Sequence, residues 1–238
     1  MVFGFELAVI LFVGAFTQAM IGFGYGAVFI GLMALMFPLD QVILVSFVFA
    51  VPIQFILMML TIRYRLGWDA IQLALIGAIG LPIGIYMFSV VNISILEILF
   101  GLFLIISVCI SIFDRIRFSN SKVIFYGVGI FSGFLGALFG SSGPFVSLYL
   151  LTNRSLNRFH HIFTLNIIFL VISCTLLFYY GWQGSYDFIN SEFVGYGTIF
   201  AVMGTILGYL FGSIFSYQWY RRIVLLVIFL MGVIFLVK

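Results

Sequence analysis

The chain has 238 residues, 65% of them hydrophobic and only 7% charged, where an average soluble domain carries about 25% charged residues. That much apolar surface cannot be hidden in a water-soluble fold of this length, so the composition predicts an all-α integral membrane protein with several spans. The net charge of +3 comes with no basic stripe outside the membrane-flanking loops, which excludes nucleic acid as a partner. The lipid bilayer is the expected one.

In chain order, the first apolar segments are predicted at 3–20, 24–37, 41–62, 70–90 and 93–113. The chain opens MVFGFELAVI, without the basic residues of a secretory signal. A basic stretch, DRIRFSNSK, covers 114–122. Five more segments follow at 123–140, 143–153, 160–181, 193–215 and 220–237. Cys109 and Cys174 both lie inside such runs, which leaves a disulfide framework or a zinc site without support. No cofactor or metal is expected.

The two sets of five match in order and, in places, residue for residue. Phe12, Gly14 and Gly24 align with Phe131, Gly133 and Gly143 at one constant offset, and Gly80 and Gly84 align with Gly204 and Gly208 at another. The expected organisation is therefore a duplication, residues 1–118 and 119–238, forming one membrane domain. Orientation follows from the preference of Lys and Arg for cytoplasmic loops. Placing Arg63 and Arg65 inside also places Arg115, Arg117, Lys122, Arg154, Arg158, Arg221 and Arg222 inside, leaving only Lys238 outside. Each half then crosses an odd number of times, so the halves are inverted and both termini face outward, a recurring design of secondary transporters. A multi-pass protein of the cytoplasmic (inner) membrane is expected.

Two polar interruptions stand out, QAMIGFGYG at 18–26 and ALFGSSGPF at 137–145. The segment after the second, 143–153, reaches about 16 Å at roughly 1.5 Å per residue, half of a core about 30 Å thick. The first two segments of each half are therefore expected to be short, broken or re-entrant, giving eight to ten segments in total. Two full tilted crossings in each half would leave the parity unchanged.

A broken membrane helix exposes free N–H groups and a positive dipole end at the start of its second piece, which is a ready anion site. Gly22, Gly24 and Gly143 would allow close approach to that backbone. Ser141 and Ser142 would add hydroxyls, and Pro144 suits a first helical turn because it has no N–H to leave unsatisfied. Gln18 and Asn166, amides within apolar helices, must find partners; each could bind an anion or bridge two helices. Tyr25 could donate its hydroxyl, although in a chain with twelve tyrosines and thirty-one phenylalanines packing is the favoured role. Gln54, two positions after Pro52, could act in gating. His160 and His161, beside Arg154 and Arg158, could couple to protons or draw in anions, but the favoured reading is a cationic cytoplasmic loop that obeys the positive-inside preference. Gly14, Gly80, Gly84, Gly133, Gly136, Gly140, Gly204, Gly208 and Gly212 are read as helix-packing positions. No Asp or Glu lies mid-segment, so the usual intramembrane carboxylate of a proton- or sodium-driven carrier is missing.

GFGYGAVFIGLMALMFPL in the first half and GFLGALFGSSGPFVSLYLL in the second resemble the TauE/SafE family, the toluene sulfonate uptake permeases. The resemblance spans essentially the whole chain, with GFGYG departing from the glycine triplet often seen at the first motif. It implies a transporter of small sulfur-containing or organic anions, such as sulfite or sulfonates, with export favoured. Together with the inverted halves it leads to alternating access around a midplane site. Two rivals are an integral-membrane enzyme, for which no nucleophile-and-base or metal constellation is present, and a scaffold or assembly factor, which would need no polar midplane. The oligomeric state, a homo-oligomer included, is left open.

Overall fold

The computed structural model describes residues 4–64, 68–112, 121–153, 158–212 and 217–237. These form helices α1 (Phe5–Ile21), α2 (Tyr25–Met33), α3 (Leu39–Leu60), α4 (Trp68–Val90) and α5 (Ile93–Ile112). The second series is α6 (Lys122–Phe139), α7 (Gly143–Asn153), α8 (Arg158–Trp182), α9 (Ser191–Phe211) and α10 (Tyr217–Val237). One 3₁₀ turn, Ile62–Tyr64, follows α3, and no strand occurs among the described residues. Among the described residues six helices, α3, α4, α5, α6, α8 and α9, are long and apolar enough to cross a bilayer, and α1 is a shorter apolar helix.

The ends of the helices follow local chemistry. Ser121 caps α6 by accepting the Ile124 N–H at 3.4 Å. Asn190 caps α9 through the Glu192 N–H at 3.1 Å, and Glu192 itself complements the dipole in the first turn. Helix α2 is shorter than the predicted 24–37. Residues 34–37 form a turn in which the Met36 and Phe37 N–H groups both return to the Met33 carbonyl at 3.0 Å. The cause is Pro38, which disfavours helical backbone at the residue before it and starts α3 from an extended conformation.

The largest helix contacts are α4 with α6 and α1 with α9, followed by α5 with α10 and α3 with α8. Smaller contacts join α4 to α8, α3 to α9, α2 to α10 and α5 to α7. Exchanging the first five helices with the last five maps this pattern onto itself. The inner pair is α3 and α8, each 56% buried along its apolar window, against 33% for α4, α5 and α9. The polar cavity described below lies beside this pair.

Glycine sets the two largest interfaces. A methyl on Gly80 of α4 would overlap the Ile130 carbonyl of α6, and one on Gly133 of α6 would overlap the Gly77 carbonyl of α4. Across α1 and α9, Gly204 and Gly208 stand in the same relation to the Phe12 and Phe16 carbonyls. Backbones packed this closely gain dispersion contacts that larger residues would prevent, which is how helices associate where lipid removes the hydrophobic incentive.

Candidate functional site

Both polar interruptions are helix breaks. Helix α1 stops at Gly22, whose N–H returns to the Gln18 carbonyl at 2.7 Å with φ at +97°. Gly24, at φ +111°, then turns the chain into α2. Two left-handed residues flanking Phe23 restrict both positions to glycine, because a Cβ would clash with its own backbone there. The second break repeats the device: α6 ends on Gly140 at φ +62°, Ser141 and Ser142 follow outside any helix, and α7 opens with Gly143 and Pro144.

The two breaks touch. The Phe23 side chain lies against Gly143, leaving no room for a Cβ, and Gly26 lies against the Gly140 carbonyl. Between them is a partly open cavity with about 380 Å³ of non-atom space, counting its open mouth. Gln18, Phe23, Gly24, Tyr25 and Gly26 line it from the first break, and Gly140 through Gly143 from the second. Helices α3 and α8 supply the apolar wall with Phe47, Phe169 and Ile172, and add Gln54 and Ser173. Every lining residue among those described is neutral. The electrostatics of the cavity therefore come from amides, hydroxyls and the starts of α2 and α7.

Gln18 is the hub. Its Nε2 donates to Asn166 Oδ1 at 2.9 Å, and its Oε1 accepts the Tyr25 N–H, the first of α2, at 3.3 Å. Asn166 donates through Nδ2 to the Ile162 carbonyl at 2.8 Å, which fixes its own orientation on α8. Gln18 is thus both a bridge and a lining residue, while Asn166, fully buried, stands one bond behind the cavity. Tyr25 stays in the wall, but its hydroxyl donates to the Ser46 carbonyl at 3.2 Å. Ser142 and Ser132 share a hydrogen bond at 3.1 Å that holds the second break to α6. Gly22 packs on Ile162 and Leu165 of α8.

Of the remaining candidates, the described His160, His161 and Arg158 lie apart from the cavity wall. His161 is buried and its Nε2 is 2.9 Å from Ser147 Oγ, joining α8 to α7. His160 packs edge-on against Tyr64, with ring centroids 5.5 Å apart. Arg158 donates through Nε to the Met20 carbonyl at 3.2 Å, through one terminal nitrogen to Ala19 at 3.3 Å, and through the other to Gly212. A guanidinium therefore closes the C-terminal ends of α1 and α9 together, supplying donors to carbonyls that have no helical partner. Arg154 lies outside the described residues.

Sequence reasoning missed Phe47, Phe169, Ser132 and Ser173. The serines carry no signal because serine and threonine are quiet in apolar helices. Thr17, Ser111 and Thr205 each return a hydroxyl to the carbonyl four residues back at 2.7 Å. A serine that serves a site looks the same. Among the described residues no cluster of three His, Cys, Asp or Glu could hold a metal.

The family model described as sulfite exporter TauE/SafE matches residues 7–235. The chain belongs to the TauE/SafE family. No curated protein and no solved structure matches it. TauE/SafE proteins are membrane transporters, not enzymes, and this TauE/SafE chain is a multi-pass integral membrane protein. Its neutral cavity, bounded by two helix breaks, is the feature on which a transport reading must rest.

Proposed function

We propose that this chain moves a small sulfur-containing or organic anion, such as sulfite or a sulfonate, across the cytoplasmic membrane by alternating access at the cavity between the two breaks, with export as its direction. The observation that carries this reading is the convergence of two helix starts, α2 and α7, on one partly open cavity lined by neutral polar and apolar groups. Each brings first-turn N–H groups and the positive end of a helix dipole, which stabilise an anion without a buried cation. Ser141, Ser142 and Gln54 add side-chain partners for its oxygens.

Ligand binding to the folded chain alone raises its stability by about 2.7 kcal/mol at a hundredfold excess over Kd. Sulfite or methanesulfonate is accordingly expected to raise the Tm of the purified protein. Ser142→Ala should weaken that binding roughly tenfold, the effect of one lost hydrogen bond. If no anion shifts the Tm and labelled sulfite does not enter proteoliposomes, the reading fails.

The same proposal includes two inverted repeats, 1–118 and 119–238, with both termini outside and the breaks near the midplane. Its support is the exchange pattern of helix contacts together with the lengths of α2 and α7, about 14 and 16 Å, each half of the core. In a background with Cys109 and Cys174 replaced, Tyr186→Cys is expected to react with an impermeant thiol reagent from outside. Asn120→Cys should react only after the membrane is opened. The reverse labelling would overturn the inverted arrangement.

A further inference from the structure

The amide of Gln54 bears on which ionic form the cavity receives. Gln54 lies on α3, is only 5% exposed, lines the cavity, and its Oε1 is buried without a hydrogen-bond partner. An orphaned amide oxygen is costly to keep in a membrane interior, and an occupant of the adjoining cavity that carried a donor would relieve it. Whichever way the amide is turned, it presents an acceptor as well as donors. A fully deprotonated oxyanion can use only the donors, whereas one that retains an O–H can use both.

Charge points the same way. Among the described residues no ionised side chain lines the cavity, so the occupant is balanced by dipoles and neutral hydrogen bonds. The penalty for withdrawing an ion from water grows with the square of its charge, so a dianion costs about four times as much to desolvate as a monoanion of equal size. Dipoles, by contrast, return a stabilisation only proportional to the charge. The lining thus fits a single negative charge, and Gln54 fits a proton still attached to it.

We propose that Gln54 contacts the transported anion and that its amide oxygen accepts the O–H of a singly charged, still protonated oxyanion, so that the cavity selects hydrogen sulfite in its O–H form over the sulfite dianion. This rests on the anion-transport reading and adds the ionic form and the residue that reads it.

The test is direct binding to the full chain in detergent or nanodiscs, by calorimetry. Sulfite is titrated at one pH below and one above the second ionisation of sulfurous acid. Methanesulfonate, a monoanion without an O–H, serves as reference at both. The wild type is expected to bind sulfite more tightly at the lower pH, with affinity following the protonated fraction, and to bind methanesulfonate equally at both. Gln54→Leu should weaken low-pH sulfite binding roughly tenfold and methanesulfonate, which loses only an amide donor, by less.

Gln54→Met, which keeps the length of the side chain, should behave as Gln54→Leu does, and ligand-free melting curves of both variants report folding separately. If both folded variants lose the two anions equally, or lose neither, the role of Gln54 is wrong. Tighter wild-type binding of sulfite above its second ionisation would overturn the choice of monoanion. If the wild type binds neither anion at either pH, the transport reading falls and this inference falls with it.

Discussion

Gly80→Leu is expected to prevent accumulation of the folded protein. A Cβ at Gly80 would coincide with the Ile130 carbonyl and lie 2.8 Å from the Phe134 nitrogen, so the new side chain meets backbone on α6 rather than a side chain that could rotate away. Overpacking a core ordinarily costs about 1–3 kcal/mol. With no flexible partner to give way, the loss here should be on the order of 3 kcal/mol or more, a large share of the stability of a typical domain. The readout is the monodisperse fraction and Tm after detergent extraction, with Gly80→Ala intermediate. Gly127→Leu, also on α6, is the control, because nothing lies within 4 Å of its added Cβ. Wild-type behaviour of Gly80→Leu would show that α4 and α6 do not pack as described. The interface also positions the proposed site, because Gly136, one turn beyond Gly133 and Ser132 on α6, lines the cavity.

Gln18→Leu should give the second large effect, on transport more than on accumulation. The substitution keeps the approximate volume but leaves the Tyr25 N–H and Asn166 Oδ1 without their shared partner. Each buried polar group so orphaned costs about 1–3 kcal/mol, and the first turn of α2 loses the contact that orients it at the cavity. Sulfite flux into proteoliposomes is expected to fall by roughly a hundredfold, the equivalent of about 2.7 kcal/mol. Asn166→Leu alone should destabilise less, because Gln18 keeps its bond to Tyr25. A Tm-based cycle of the two substitutions should show a coupling on the order of 1 kcal/mol. Strict additivity would mean that the amide bridge does not hold α1 to α8.

Much of this architecture was open to reading along the chain. The ten helices lie close to the predicted segments because glycines, prolines and charges punctuate the apolar runs, and a helix cannot pass such residues in lipid without losing backbone partners. The exception, α2, ends early because Pro38 acts on the residues before it, an influence outside the hydropathy pattern. The breaks were visible for the same reason: GFG and GSSGP make no sense inside a continuous apolar helix. Arg158 shows the opposite case. Its sequence context, a basic stretch between two apolar runs, fits a cationic loop, whereas its guanidinium closes the ends of two helices that are remote from it in the chain.

What the sequence alone determined is therefore what local chemistry controls: membrane embedding, the order of the helices, the two places where they break, and the amides and serines that had to find partners. Tertiary structure decided which partners those are. Gln18 meets Asn166 from 148 positions away. Tyr25 turns its hydroxyl to Ser46, and Gln54 keeps an unmatched oxygen beside the cavity. Hydropathy and capping depend on neighbours a few residues apart, but the satisfaction of a buried polar group depends on whatever the packed helices bring within about 3 Å of it. That distance is a property of α1, α3 and α8 assembled together, and no single segment contains it.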